Sequence, residues 1–314
     1  MNRIRHVIST LSGAKGRNLE IPRFARDDAS RRIPRPGGLG MTASVLWFLL
    51  VLPGIGLAAG SRMEKSPWPH PREQGTYQAR IAATGQVLWT VEWEATVQEA
   101  PGGAQVQIVE QGKGQPPRYK EPILWEKRMR VHLPGGLFLP QSVSGSRWTQ
   151  GGRLLGRMDV RLDPEKRSII YRDSDGAEPG QDAQFTWSAD ALPDEMLFHW
   201  ARTLPFEELA AGNRAKGCLL LVSPSKRFRI QATVRGREEV VTPAGTFSCY
   251  RVELVPQLPG PLKALAPRIS LWCRAEAPHH WVRYEGPIGG PGSPRAILEL
   301  VRFRQGSESG EDSL

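Results

Sequence analysis

The dominant pattern along the chain is an alternation of apolar and polar residues with period two. Between Val87 and Val97, residues Val87, Trp89, Val91, Trp93, Ala95 and Val97 share one side, and Thr90, Glu92, Glu94 and Thr96 the other. Successive side chains of an extended chain point to opposite faces, so such a run predicts a strand with one face buried. Ala104, Val106 and Ile108 repeat the pattern. Phe228, Ile230, Ala232 and Val234 do so against Arg227, Arg229, Gln231, Thr233 and Arg235. A one-residue slip would turn each apolar set into water, which specifies these registers strongly.

Turn residues join the runs into hairpins. Leu154 to Leu162 leads through Asp163-Pro164-Glu165-Lys166 into Arg167 to Tyr171, and Thr242-Pro243-Ala244-Gly245 separates Arg237 to Val241 from Thr246 to Val255. With further strands over 269–274, 281–285 and 296–303, about ten strands are expected, at the spacing of a sandwich or barrel. One helical segment interrupts them near Asp194 to Thr203, with Met196, Leu197 and Trp200 on one side. Ser188 or Asp190 is its candidate cap and Pro205 its stop, and a second turn follows through Leu209 to Gly212.

Two regions depart from alternation. Val45 to Ala59 is an unbroken apolar run, shorter than the ~20 residues that span a bilayer and ending in small residues. This predicts a signal peptide over 41–60, cleaved after Gly60, and a periplasmic location. An uncleaved membrane anchor is the alternative. Residues 1–40 show neither period and are expected to be a misassigned or disordered extension. Residues 305–314, rich in Gly, Ser and acidic groups, are expected to be a disordered tail. A single β-rich domain over 61–304 remains.

Composition agrees with many turns between short strands, since the 314 residues include 33 Gly and 27 Pro. The formal charge of +10 would suggest an anionic partner, but nine basic and only three acidic residues fall in the first 60. Without that segment the chain is close to neutral, which argues against nucleic acid. Three cysteines, Cys218, Cys249 and Cys273, follow the signal segment, and Cys249 and Cys273 fall in expected strands. In an oxidising compartment Cys249 and Cys273 are the candidate disulfide; three small buried thiols are the alternative.

Catalytic and metal motifs are sparse. His279 and His280 are adjacent, so on a strand they point apart and cannot chelate one ion. No metal site or cofactor is expected. Glu195 and His199 stand four apart on the helical segment, within reach of each other. They are read as a surface pair, and as the candidates should the protein prove an envelope hydrolase. No nucleophile elbow or P-loop is present, so an enzyme is the less favoured class.

The stretch Thr242-Pro-Ala-Gly-Thr-Phe-Ser-Cys-Tyr-Arg-Val-Glu-Leu254, followed by Ile269-Ser-Leu-Trp272 and Trp281-Val-Arg-Tyr-Glu285, resembles a family of bacterial periplasmic proteins of unknown function. That family is similar in fold to the outer-membrane lipoprotein carriers. The likeness is best over 225–304 and extends from about residue 75. It implies a mainly β fold, a curved antiparallel sheet forming an incomplete barrel with one or two short helices over its open side. The concave face of such a sheet has to be covered by helix, ligand or partner. The resemblance therefore implies an apolar ligand, a lipid or acyl chain, held against aromatic strand residues Trp89, Trp93, Phe228, Tyr250, Trp272 and Tyr284. Possible partners are a lipid or lipoprotein, or another envelope protein that docks on the sheet.

Overall fold

The computed structural model describes residues 67–306 apart from 118, 176–180, 213–214, 224–225, 258–265 and 288–292, all within a compact unit spanning Gly56–Leu314. The expected extension and signal segment lie outside the described residues, as does the tail beyond Gly306.

The first eight strands form one continuous meander: β1 (Arg72–Ile81), β2 (Val87–Ala100), β3 (Gly103–Gly114), β4 (Ile123–Leu133), β5 (Leu139–Thr149), β6 (Leu154–Asp163), β7 (Ser168–Asp175) and β8 (Gln181–Thr186). A short β9 (Ala191–Pro193) leads into a 3-10 turn (Asp194–Met196) and two helices, α1 (Leu197–Ala201) and α2 (Phe206–Gly212). A second meander follows through β10 (Ala215–Ser223), β11 (Lys226–Thr242), β12 (Gly245–Pro256), β13 (Ile269–Arg274), β14 (Trp281–Pro287) and β15 (Arg295–Gly306).

All fifteen strands belong to one sheet, in the order β8-β7-β6-β5-β4-β3-β2-β1-β15-β14-β13-β12-β11-β10-β9. Every neighbouring pair is antiparallel except β10 with β9. The first strand pairs with the last, which joins the two meanders in the middle of the sheet. The edges are β8 and β9, consecutive in the chain, so the curved sheet nearly closes without pairing there. A side chain bridges the seam instead: the Tyr171 hydroxyl of β7 donates to the Val222 carbonyl of β10 at 3.2 Å.

Alternation places the core as expected, with instructive exceptions. Trp93, Ala95, Val106, Ile108, Ile230, Ala232 and Val234 are buried on the inner face. Val87, expected on that face, is 52% exposed, and Leu88 is buried in its place. A β-bulge opposite Ala79 and Arg80 inserts one residue and reverses the phase. The two stretches 227–235 and 237–241 are parts of a single strand, β11, bent where its register against β12 shifts between Val234 and Arg237. Six strands are not among those expected, β1, β4, β5, β8, β9 and β10, although β4 buries Met129, Val131 and Leu133 in alternation.

The interior is filled by the segment between the meanders. Met196, Leu197, Trp200, Leu204, Phe206 and Leu209 enter the same core cluster as the inner strand residues, together with Trp68 from before β1. The helices begin and end close to expectation, but α1 starts from the 3-10 turn with no side-chain cap. Ser188 and Asp190 instead hydrogen-bond to each other, and Asp190 pairs with Arg229 at 2.8 Å. Among the described residues no helix is long and apolar enough to cross a membrane.

Candidate functional site

The inner face carries a band of aromatic rings beneath the two helices. Tyr77 stacks on Trp281 with centroids 3.6 Å apart and lies 6.2 Å from Trp93. Phe198 of α1 packs on Trp281 and Tyr284 at 4.8 and 5.2 Å, and Phe206 of α2 stacks on Tyr250 at 4.9 Å. Two glycines make room for rings on the strands. A Cβ at Gly75 would sit 2.7 Å from the Trp93 indole nitrogen, and one at Gly112 would sit 2.0 Å from the Trp125 ring. The Trp93 Nε1–H has no partner among the described residues.

Polar contacts fasten the cover to the sheet. Arg202, just after α1, makes a bidentate pair with Glu73 of β1 at 3.0 and 3.2 Å, both side chains essentially inaccessible to water. Its Nε donates to the Pro278 carbonyl at 3.2 Å, and its guanidinium lies 4.3 Å over the Trp68 ring. His199 of α1 lies 3.4 Å from the Glu110 carboxylate of β3. On α2, the Tyr250 hydroxyl donates to Glu207 at 2.8 Å, which Arg237 also approaches at 3.3 Å. The cover is thereby tied to β1, β3, β11 and β12.

A cluster of ionisable groups lies under the start of the cover. Burial alone would raise the Glu110 carboxyl, but the His199 hydrogen bond and the Lys127 and His199 charges outweigh it and hold it below the usual range. Asp194 behaves oppositely. Burial, then the neighbouring Glu195 charge, pushes its carboxyl well above the usual value. Asp194 Oδ1 and Glu195 Oε2 are buried with no partner among the described residues. Glu195 and His199 are therefore not the surface pair expected from their spacing: His199 is only 4% exposed and turns to Glu110. The strand pattern gives no hint of this, because Glu110 falls on the apolar face of its strand. Among the described residues no three His, Cys, Asp or Glu side chains are grouped to hold a metal ion.

The structure brings most of the expected aromatic residues to the inner face. Trp89, Trp93, Phe228, Tyr250 and Tyr284 all lie there, Trp89 and Phe228 half-buried and the others buried. Trp272 does not. Its register partners are Arg251 and Arg283, whose guanidinium groups lie 5.7 and 5.4 Å from its ring, and its indole N–H donates to Glu238. Leu271 and Cys273 take the inner positions on β13, so Trp272 is sandwiched between cations on the outer face and does not line the interior.

The expected bridge between Cys249 and Cys273 is not formed, and all three thiols are free and buried. Cys273 pairs with Tyr250 and Cys249 with Arg274, so the one-residue offset puts the two sulfurs on opposite faces. Burial pushes the Cys218 and Cys249 thiols up to about 12, which leaves them inert. His279 and His280 occupy a turn before β14. His279 has a positive φ of 53°, and His280 stacks on Phe303 at 4.0 Å.

Residues 140–296, half of the chain, match the model of a family described as a protein of unknown function, DUF3108. The stretch takes in residues 225–296 of the region, 225–304, over which the sequence resemblance is best. No curated protein matches the chain. Among solved structures, one similar chain is the β-barrel-like protein of the domain of unknown function DUF1849 from Brucella abortus. It is 9% identical, covers 76% of this chain and 99% of its own, and has a TM-score of 0.46. Another is the hypothetical lipoprotein YmcC from Escherichia coli, 9% identical over 76% of this chain and 89% of its own, with a TM-score of 0.27.

Proposed function

The chain belongs to the DUF3108 family, whose description carries no activity, and from the covered interior we propose that it is a cell-envelope carrier for an apolar moiety, a lipid or acyl chain. The observation that carries this reading is the cover itself. A segment of two short helices, without side-chain caps on α1, supplies six large apolar side chains to the concave face of an open sheet. Helices of five and seven residues have little stability of their own and depend on that packing. An acyl chain offers the aromatic band the same apolar surface, so it can replace the segment at small cost in burial. Export is supported by the apolar run Val45 to Ala59 with its small-residue end.

Native mass spectrometry of the protein purified after expression of the full chain in a Gram-negative host, followed by solvent extraction, tests the reading. The expected result is a stoichiometric lipid-sized adduct that Trp89→Ala, on the half-buried rim of the inner face, weakens without unfolding the protein. A bare protein mass that persists after incubation with envelope lipid extract would overturn it. A protein partner recovered by crosslinking alongside that bare mass would make the chain an assembly module.

A further inference from the structure

The outer face of the first meander carries a second concave feature that the carrier reading does not use. Along β5 the outward residues are Ser142, Ser144 and Ser146, while their partners on β4 and β6 are long and charged. Arg130 and Arg161 flank Ser142, Arg128 and Asp159 flank Ser144, and Glu126 and Arg157 flank Ser146. Short hydroxyl side chains between long walls leave a furrow over the strand. Half-buried Trp148 stands at one end, between Leu124 and Leu154. The depression there has a volume of about 470 Å³, with Arg128, Ser144, Ser146, Trp148, Arg157 and Asp159 among its lining residues. A second depression, of about 410 Å³, shares Arg128 and continues over β1 to β3 past Gln111, Glu94 and Gln74. From Ser142 to Trp148 the furrow runs about 20 Å, at the usual rise of a strand.

Its chemistry narrows the occupant. Three arginines and four carboxylates line the first depression. Arg128 is paired with Glu126 at 2.8 Å and Arg172 with Asp182 at 3.2 Å. A polyanion or an anionic lipid surface would meet those carboxylates, and a polycation would meet the arginines. A peptide strand finds no free backbone, because β5 is hydrogen-bonded on both sides by β4 and β6. A guanidinium only donates hydrogen bonds, a carboxylate only accepts them, and a serine hydroxyl does both. Interleaved in one furrow, they match a ligand whose every hydroxyl both donates and accepts. An indole face at the end suits the apolar C–H face of a ring.

We propose that this furrow binds an extended, uncharged polysaccharide strand, its hydroxyls held by the Arg and carboxylate side chains and by Ser144 and Ser146, with one sugar ring on Trp148. The site is separate from the covered interior, so its failure would leave the carrier reading intact. Isothermal titration of the full chain with cellohexaose, maltohexaose and N-acetylchitohexaose tests it, with dextran sulfate and phosphatidylglycerol vesicles as the charged alternatives. At least one hexasaccharide is expected to bind at millimolar concentration or below. Ser144→Arg, which fills the furrow from an exposed position, and Trp148→Ala should each weaken that binding about tenfold or more, a loss of ~1.4 kcal/mol, with melting temperature preserved. Absence of binding by all three sugars would overturn the proposal. So would sugar binding indifferent to both substitutions, or binding of the charged probes alone.

Discussion

At the scale of single residues, the interior depends on polar groups that a purely apolar core would not contain. Glu73 and Arg202 are both withdrawn from water and satisfy each other bidentately. Removing one member of such a pair strands the other charge, at a cost of about 3–5 kcal/mol. Glu73→Gln should therefore destabilise the protein by that order in urea unfolding, whereas the double change Glu73→Leu with Arg202→Met should cost much less. Equal losses for the single and double variants would show that the pair is not what holds the cover. His280 offers a second test. Burial, then the charges of Arg202, Arg274 and His279, holds its imidazole well below its ordinary value of 6.5. The unfolded chain takes up a proton as pH falls below that value while the folded protein does not. Stability is thus complete above the ordinary histidine range and declines below it, by up to ~1.4 kcal/mol per pH unit. The raised Asp194 carboxyl acts in the opposite sense, its contribution fading as pH rises above 3.8. Neither His280 nitrogen has a partner among the described residues, so His280→Phe should keep the fold and flatten the fall in melting temperature between pH 7 and pH 5. A slope unchanged from wild type would assign that fall to other groups.

At the scale of elements, the two helices and the sheet differ in what sustains them. The strands β1 to β7 share ladders on both sides, while α1 and α2 are held by side-chain packing and by contacts such as Arg202–Glu73 and Tyr250–Glu207. Native-state hydrogen exchange should therefore find the amides of 194–212 opening at lower free energy than those of β2 to β4, in one cooperative step. Protection of that segment equal to the global value would rule it out as a displaceable cover. The same contrast explains which elements could be read from the chain. The strands β2, β3 and β11 have one face in the core and one in water, so hydrophobicity alternates along them. β5 does not announce itself, because Ser, Gly and Arg fill five of the six positions from Ser142 to Arg147 and leave only Val143 to mark the inner face there. β1 hides for a different reason: its inner positions include Glu73, a buried charge whose partner comes from Arg202, far along the chain.

At the scale of the whole molecule, one central pairing unites the two meanders. The pairing of β1 with β15 brings together residues more than two hundred positions apart, such as Tyr77 and Leu300, and Tyr171 reaches across the opposite seam to β10. The result is a sheet with a concave, aromatic inner face and a furrowed, polar outer face, and the two proposed binding functions occupy opposite sides of it. The mainly β class, the inner and outer faces of the well-alternating strands, the helical interruption near 194–212 and the aromatic stock of the interior were all legible along the chain. Each follows from local periodicity and from turn residues, which act over a few positions. It took the folded sheet to show that Trp272 faces outward between Arg251 and Arg283, that Cys249 and Cys273 lie on opposite faces, and that Glu110 and His199 meet beneath the cover. Those outcomes depend on bulges, cross-strand register and contacts between distant segments, which no local pattern records.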